Sequence, residues 1–278
     1  MGKALVINGL QVTNPLTTVT IGDSPTEIAL RKYLLANSTI NSTEEDALTT
    51  LVDSLMSGDV WDKVKYLYPL IGNQISDIIL DVIDPATEDI LSNSGTTGLS
   101  VSNRCLIANG RTVVYSNTGT RAKKLDPTKL GFILAGKAPE YSGSSTIGQG
   151  FQFRKSYNFG LNVCTGSSGY AYPELRCNGT DIKDASNSQS YVNRIILGNV
   201  GNGTGSLYWE NVLKASNNVD LSTFDITTAQ MYGVLYNLAS TNYQYNFAAV
   251  TEGMTNDEWV NVVYPAILAF LQSVGRRA

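Results

Sequence analysis

The stretch Val192-Asn193-Arg194-Ile195-Ile196-Leu197, then Gly201-Asn202-Gly203, then Ser206-Leu207-Tyr208-Trp209 reads as strand, turn, strand. β-Branched and aromatic residues suit a pleated surface, and Gly with Asn tolerates the positive φ of a tight turn. The pattern recurs on both sides. Arg111 to Tyr115, Leu130 to Leu134, Phe151 to Arg154, Phe159 to Cys164, Met231 to Tyr236 and Tyr243 to Val250 are β-prone runs. Between them stand turn formers such as Asp84-Pro85, Asn109-Gly110, Asp126-Pro127, Gly148-Gln149-Gly150 and Asn178-Gly179. About ten short strands at this spacing point to a mainly β protein built as an antiparallel sandwich or barrel over residues 84–250.

Outside that block the periodicity changes. Residues 1–23 read as a short strand arm. Ala4 to Ile7, Asn8-Gly9, then Leu10 to Thr13 is a hairpin signal, and Thr17 to Ile21 is a third β-prone stretch. Residues 24–83 read as helical. Ser24-Pro25-Thr26-Glu27 and Ser42-Thr43-Glu44-Glu45 are capping boxes, and Leu48, Leu51, Val52, Leu55 and Met56 recur at helical spacing up to Gly58. A third helix is expected around Val60-Trp61, Val64 and Leu67-Tyr68, stopping at Pro69. Residues 251–278 return to helix. A box at Thr255-Asn256-Asp257-Glu258 opens it, Met254 with Trp259 forms a hydrophobic staple, Pro265 kinks it and Gly275 ends it.

Composition removes whole mechanisms. The 278 residues include no histidine, so a Ser-His-Asp triad, a Cys-His dyad and a His-ligated zinc are excluded. Charged residues are 16%, against about 25% in ordinary domains. With net charge −4 and only Arg121-Ala122-Lys123-Lys124 and Arg276-Arg277 as basic runs, nucleic acid is not an expected partner. No apolar run approaches the ~20 residues of a membrane span, and the N-terminus does not read as a secretion signal. Of the three cysteines, Cys164 and Cys177 could pair across a hairpin, with buried free thiols as the preferred reading.

The acids do not converge. Glu44-Glu45-Asp46 and Asp257-Glu258 belong to helix starts, and Glu88-Asp89 follows a proline turn. No strand carries acids at alternate positions, so no catalytic residue, cofactor or metal site is expected. A loop calcium site made of Asn side chains and carbonyls stays open. The aromatic side chains are better candidates for recognition. Tyr supplies 15 of them against 7 Phe and 3 Trp. Tyr170, Tyr172, Tyr208 and Trp209 lie in or beside loops, where exposed aromatics beside Asn and Ser form sugar- or protein-binding surfaces. Packing into the sheet core is the competing reading for each.

One order of motifs reaches a family. Asp59-Val60-Trp61-Asp62-Lys63-Val64 runs into Tyr68-Pro69-Leu70-Ile71-Gly72. Asp84-Pro85, Asn109-Gly110 and Tyr115-Ser116-Asn117-Thr118-Gly119 follow. Glu252-Gly253-Met254-Thr255-Asn256-Asp257-Glu258 and Leu271-Gln272-Ser273-Val274-Gly275-Arg276 close the chain. Over residues 45–278 this resembles bacteriophage virion proteins with a concanavalin A-like lectin/glucanase jelly roll. The resemblance implies a jelly-roll sandwich between a preceding helical segment and a C-terminal helix packed on it. It also implies a virion location, as a head or tail decoration or fibre component. The glucanase members carry alternating acids on one strand; this chain lacks them, so the hydrolytic activity is not implied. Other virion proteins are the expected partners of the N-terminal arm and helices, and host surface glycans of the loops. A homo-oligomer is expected from the strand edges and the terminal hairpin. A carboxylate-dependent depolymerase and a ligand-free capsid cement protein are the alternatives.

Overall fold

The computed structural model describes residues 5–7, 10–12, 23–85, 91–92, 99–108, 112–116, 125–137, 150–154, 158–165, 171–177, 179–183, 192–222, 230–232, 235–237 and 243–277. The chain is mainly antiparallel β. β1 (Leu5–Ile7) and β2 (Leu10–Val12) form the expected hairpin, with Ile7 opposite Leu10. Thr17 to Ile21 lies outside the described residues.

Two sheets form the sandwich. The larger contains β3 (Val64–Tyr68), β5 (Leu99–Ser102), β6 (Cys105–Ala108), β8 (Leu130–Lys137), β13 (Val192–Gly201), β14 (Thr204–Trp209), β15 (Val212–Asn218) and β18 (Tyr243–Glu252). Its order is β15-β14-β13-β8-β18-β6-β5, with β3 also on β18. The smaller contains β9 (Gly150–Arg154), β10 (Asn158–Thr165), β11 (Ala171–Cys177), β12 (Thr180–Lys183) and β16 (Gln230–Tyr232), in the order β12-β11-β10-β9-β16. A third small sheet joins β4 (Leu91–Ser92), β7 (Thr112–Ser116) and β17 (Leu235–Asn237). The run expected from Met231 to Tyr236 is therefore divided between β16 and β17. In the opening stretch, β13 meets β14 through Asn202-Gly203, both at positive φ (52° and 73°), as a two-residue hairpin turn requires.

Residues of the large sheet sort by a period of two. Phe132, Leu134, Ile196, Leu207, Trp209, Ala248 and Val250 enter one core with Leu161, Leu175 and Ile182 of the five-stranded sheet. Ile133, Ala135, Ile195, Leu197, Tyr208, Phe247 and Ala249 enter a second core against helices. The helical layer is α1 (Pro25–Ala36), α2 (Ser42–Ser57) and the C-terminal α4 (Asn256–Glu258), a π turn (Trp259–Val263) and α5 (Tyr264–Ser273). The central strands β8, β13 and β18 of the large sheet are thus buried on both faces, which explains their nearly continuous apolar runs.

The caps follow the sequence with one shift. Ser24–Glu27 and Thr255–Glu258 are reciprocal capping boxes, but α2 is capped one residue earlier than expected, by Asn41 with Glu44. Asn41 accepts the Glu44 N–H at 2.9 Å. Met254 and Trp259 share one core, as a staple requires. The helix absorbs Pro265 by widening into the π turn just before it. Gly275, at φ 69°, ends α5 in a Schellman motif, with the Arg276 N–H bonded to Leu271 O at 2.8 Å.

The third expected helix is a correction. Trp61–Lys63 is a single 3-10 turn, and Val64–Tyr68 is β3, paired to β18 from Ala248 to Thr251. The apolar residues fit either period over so short a run. Tyr66 and Tyr68 fill the sandwich core while Leu67 fills the helical one, so a strand buries all three. The segment 24–83 therefore also supplies a strand, together with the short α3 (Ile75–Ile78).

That strand creates a seam. On one edge of β18, β6 pairs with Tyr243 to Tyr245 and β3 with Ala248 to Thr251. Asn246 lies at the junction, where the register also shifts against β8. The Arg276 side chain fills it. Its Nη1 donates to Asn246 O (2.7 Å) and Pro69 O (3.0 Å); its Nη2 donates to Leu70 O and Arg104 O (both 2.6 Å). Four carbonyls that the interrupted ladder leaves open are satisfied by one guanidinium.

Candidate functional site

The five-stranded sheet carries a polar set on the strand positions that do not enter the core. In β11, Leu175 and Cys177 belong to the core, while Glu174 and Arg176 alternate with them. In β12, Ile182 belongs to the core, while Asp181 and Lys183 flank it. The β11–β12 register sets Glu174 opposite Lys183 and Arg176 opposite Asp181. Cross-strand pairs of opposite charge result, held close by the Asn178-Gly179 connection, with Gly179 at φ 98°. Arg176 Nε donates to Glu174 Oε2 at 2.8 Å and lies 4.0 Å from Asp181 Oδ1. The Glu174 side chain is 4% exposed, that of Arg176 34% and that of Asp181 45%. The set is therefore an anchored acid under a half-open guanidinium with a more exposed acid beside it.

Glycines of the large sheet set the distance of this platform. A Cβ on Gly198 would meet Leu175 Cδ1 at 2.8 Å, and one on Gly205 would meet Ile182 Cδ1 at 2.3 Å. The two sheets approach closely only because those positions lack side chains.

The candidate aromatics are dispersed. Tyr208 and Trp209 are 5% and 6% exposed: Tyr208 packs in the helical core, 6.3 Å from the Trp259 ring, and Trp209 in the sandwich core. Their place beside a loop is a strand end, and large aromatic area is better buried there than left in water. Tyr172 is in β11 opposite Cys164, in the same alternate set as Glu174 and Arg176. Tyr170 lies outside the described residues. Cys177 is a free buried thiol, pushed up to about 12 by burial and by the charge of Asp181, so no Cys164–Cys177 bridge forms. The register sets Cys177 opposite Phe159 rather than Cys164. Among the described residues, no three acids and cysteines converge as a metal set.

Two further charged nodes hold layers together. Glu44 of α2 takes a two-pronged bond from Arg104 and a bond from Gly72 N (3.4 Å). Burial raises the Glu44 carboxyl, but Arg104 and the Asn41 and Gly72 amides outweigh it and hold the group below the usual carboxylate range. Arg104 sits at φ 59° in the tight β5–β6 turn. The second node is Glu210, at φ 58° in the β14–β15 turn. It is bonded by Arg277 Nη1 (2.8 Å) and Arg194 Nη1 (3.3 Å).

Sequence reading missed Glu174, Arg176, Asp181 and Lys183. The signal was present in Tyr172-Pro173-Glu174-Leu175-Arg176-Cys177, but a proline inside a run speaks against a strand. Pro173 is tolerated one residue beyond the last pair with β12, where β11 has lost its partner on that side.

The fold and this platform define a helix-backed antiparallel β-sandwich of jelly-roll class. No protein-family model and no curated protein match the chain. Among solved structures it is similar to the binding domain of botulinum neurotoxin serotype D, with TM-score 0.54 and 12% identity over 77% of this chain and 53% of that one. It is similar to a botulinum neurotoxin type C structure whose cell entry depends on two ganglioside molecules, with TM-score 0.51 and 8% identity over 73% and 51%. A Trypanosoma rangeli sialidase mutant with trans-sialidase activity gives TM-score 0.52 and 9% identity over 82% and 39%. The chain thus spans about half or less of each of these structures, and the likeness is one of fold.

Proposed function

We propose that the chain is a glycan-recognition module carried on a bacteriophage virion, binding without covalent chemistry. The sandwich presents the polar side of its five-stranded sheet to host glycans. The helical layer and the N-terminal hairpin dock on other virion proteins, and several copies act together so that weak sugar contacts sum to useful avidity. The observation that carries the reading is the contrast between the sheets. The central strands of the large sheet are buried on both faces, whereas Glu174, Arg176, Asp181 and Lys183 stand on the non-core positions of the smaller one, with Tyr172 and Asn162 at register positions of the same alternate set. Carboxylate, guanidinium and ammonium groups on one set of strand positions suit hydroxyl-rich ligands. Likeness of fold to structures described by ganglioside dependence and sialidase activity supports the same class of ligand.

The reading is non-enzymatic: Glu174 and Asp181 both lie against the Arg176 guanidinium, the arrangement of a structural ion-pair set. Glycan-array binding by the purified chain, lost in Arg176→Gln, is the expected result. Absence of any glycan binding, together with tight association to particles, would instead support a cement protein. Cleavage of a bound glycan that disappears in Glu174→Gln would support the depolymerase.

A further inference from the structure

On the helical side of the large sheet, two arginines share one carboxylate. Glu210 is 8% exposed and its backbone is held at positive φ. The Glu210 N–H donates to Ile195 O (2.8 Å), and its carbonyl accepts the Trp259 indole N–H (2.9 Å). A non-glycine residue at this φ is costly and persists only where its surroundings hold it. Here they aim the carboxylate at Arg277 on one oxygen and Arg194 on the other. The Tyr264 hydroxyl lies close to the same node, within the influence of Glu210 and Arg277.

The charges do not cancel. Among the described residues, Glu210 is the acid bridged to Arg194 and to Arg277, which leaves one positive charge in a partly dry site. Arg194 is 39% exposed and engages Glu210 through Nη1 with a single long bond, so the printed contact uses one of its five N–H donors. Two strands away on β15, Leu213 is 49% exposed and stands opposite Tyr208, a residue of the helical core. A cationic fork, a phenolic group and an exposed leucine are thus found around the helical side of the large sheet.

We propose that Arg194, Arg277 and Tyr264 form a second binding site, which takes the carboxylate of an acidic sugar, with Leu213 against the sugar's apolar face. A guanidinium edge matches a carboxylate with two parallel hydrogen bonds, and desolvated arginines gain most from a second anion. Glu210 is a positioning residue: it splays the two arginines and fixes their planes. The choice of a sugar as the carrier of the carboxylate rests on the glycan reading above; the site itself is independent of the five-stranded sheet.

The test is an NMR titration of the full chain, following the arginine Nε–H signals, with 3′-sialyllactose, digalacturonate and lactose as probes. The expected result is saturable shifts at Arg194 and Arg277 with one or both acidic sugars and none with lactose. Arg194→Gln should weaken that binding by about tenfold or more and Arg194→Lys by less, with both variants remaining folded because Arg277 still bonds Glu210. Which acid binds separates a sialic from a uronic ligand. Arginine signals that neither acid moves, or equal affinity in Arg194→Gln, would overturn the site. If neutral glycans then still bind through Arg176, the glycan reading survives without it; if no glycan binds anywhere, both fall.

Discussion

The two sheets of the sandwich are made from opposite kinds of strand. β8, Leu130-Gly131-Phe132-Ile133-Leu134-Ala135-Gly136, is apolar at every position because it has a core on each side. β11 alternates, with Leu175 and Cys177 in the core and Glu174 and Arg176 on the intervening positions. Around the large sheet two charged groups serve assembly: Arg276 closes the seam and Glu44 ties α2 to the β5–β6 turn. In the small sheet, Arg176 keeps a third of its side chain exposed while paired to acids on two strands. Continuous apolar strands mark the layer that builds the molecule, and alternating ones the layer that can meet a ligand.

Substitutions should separate these roles by size of effect. Phe132→Ala, at a fully buried site between the sheets, should cost about 3–5 kcal/mol by urea unfolding; a cost below about 1 kcal/mol would mean the sheets are not packed as described. Arg276→Met should cost about 3 kcal/mol, because four carbonyl oxygens lose a charged donor at a buried seam. Hydrogen exchange in that variant should rise first along β3 and β6.

Glu44→Gln should cost about 1–3 kcal/mol at neutral pH. The folded carboxyl lies below its ordinary 4.5, so its stabilisation is complete above that value and is lost as pH falls through the folded one. Unfolding midpoints followed from pH 7 down to pH 3 should therefore drop less steeply in Glu44→Gln than in the unaltered chain. Arg176→Gln should cost about 1–2 kcal/mol, because the guanidinium is half open but the Glu174 carboxylate it bonds is buried, yet it should abolish glycan binding.

Much of the architecture was legible from local chemistry. Ser24 with Glu27 and Thr255 with Glu258 marked helix starts, and Asn202-Gly203 marked a hairpin, because caps and turns are decided by neighbouring residues. Val64 to Tyr68 was not legible as a strand. Its pairing with β18 joins residues about 180 positions apart, and only that partner distinguishes a strand from a helix over five apolar-rich residues. Tyr208 and Trp209 misled for a related reason: proximity to a turn says nothing about which face of a strand is covered. The platform stayed hidden because Pro173 masked the alternation of β11, and because the pairing of Arg176 with Asp181 appears only once the register is known.

Glycan binding by Arg176→Gln, compared with the unaltered chain on the same array, tests the central claim most directly. The account predicts that binding disappears while the chain stays folded, with a stability loss of about 1–2 kcal/mol. Undiminished glycan binding by a folded Arg176→Gln chain would contradict it.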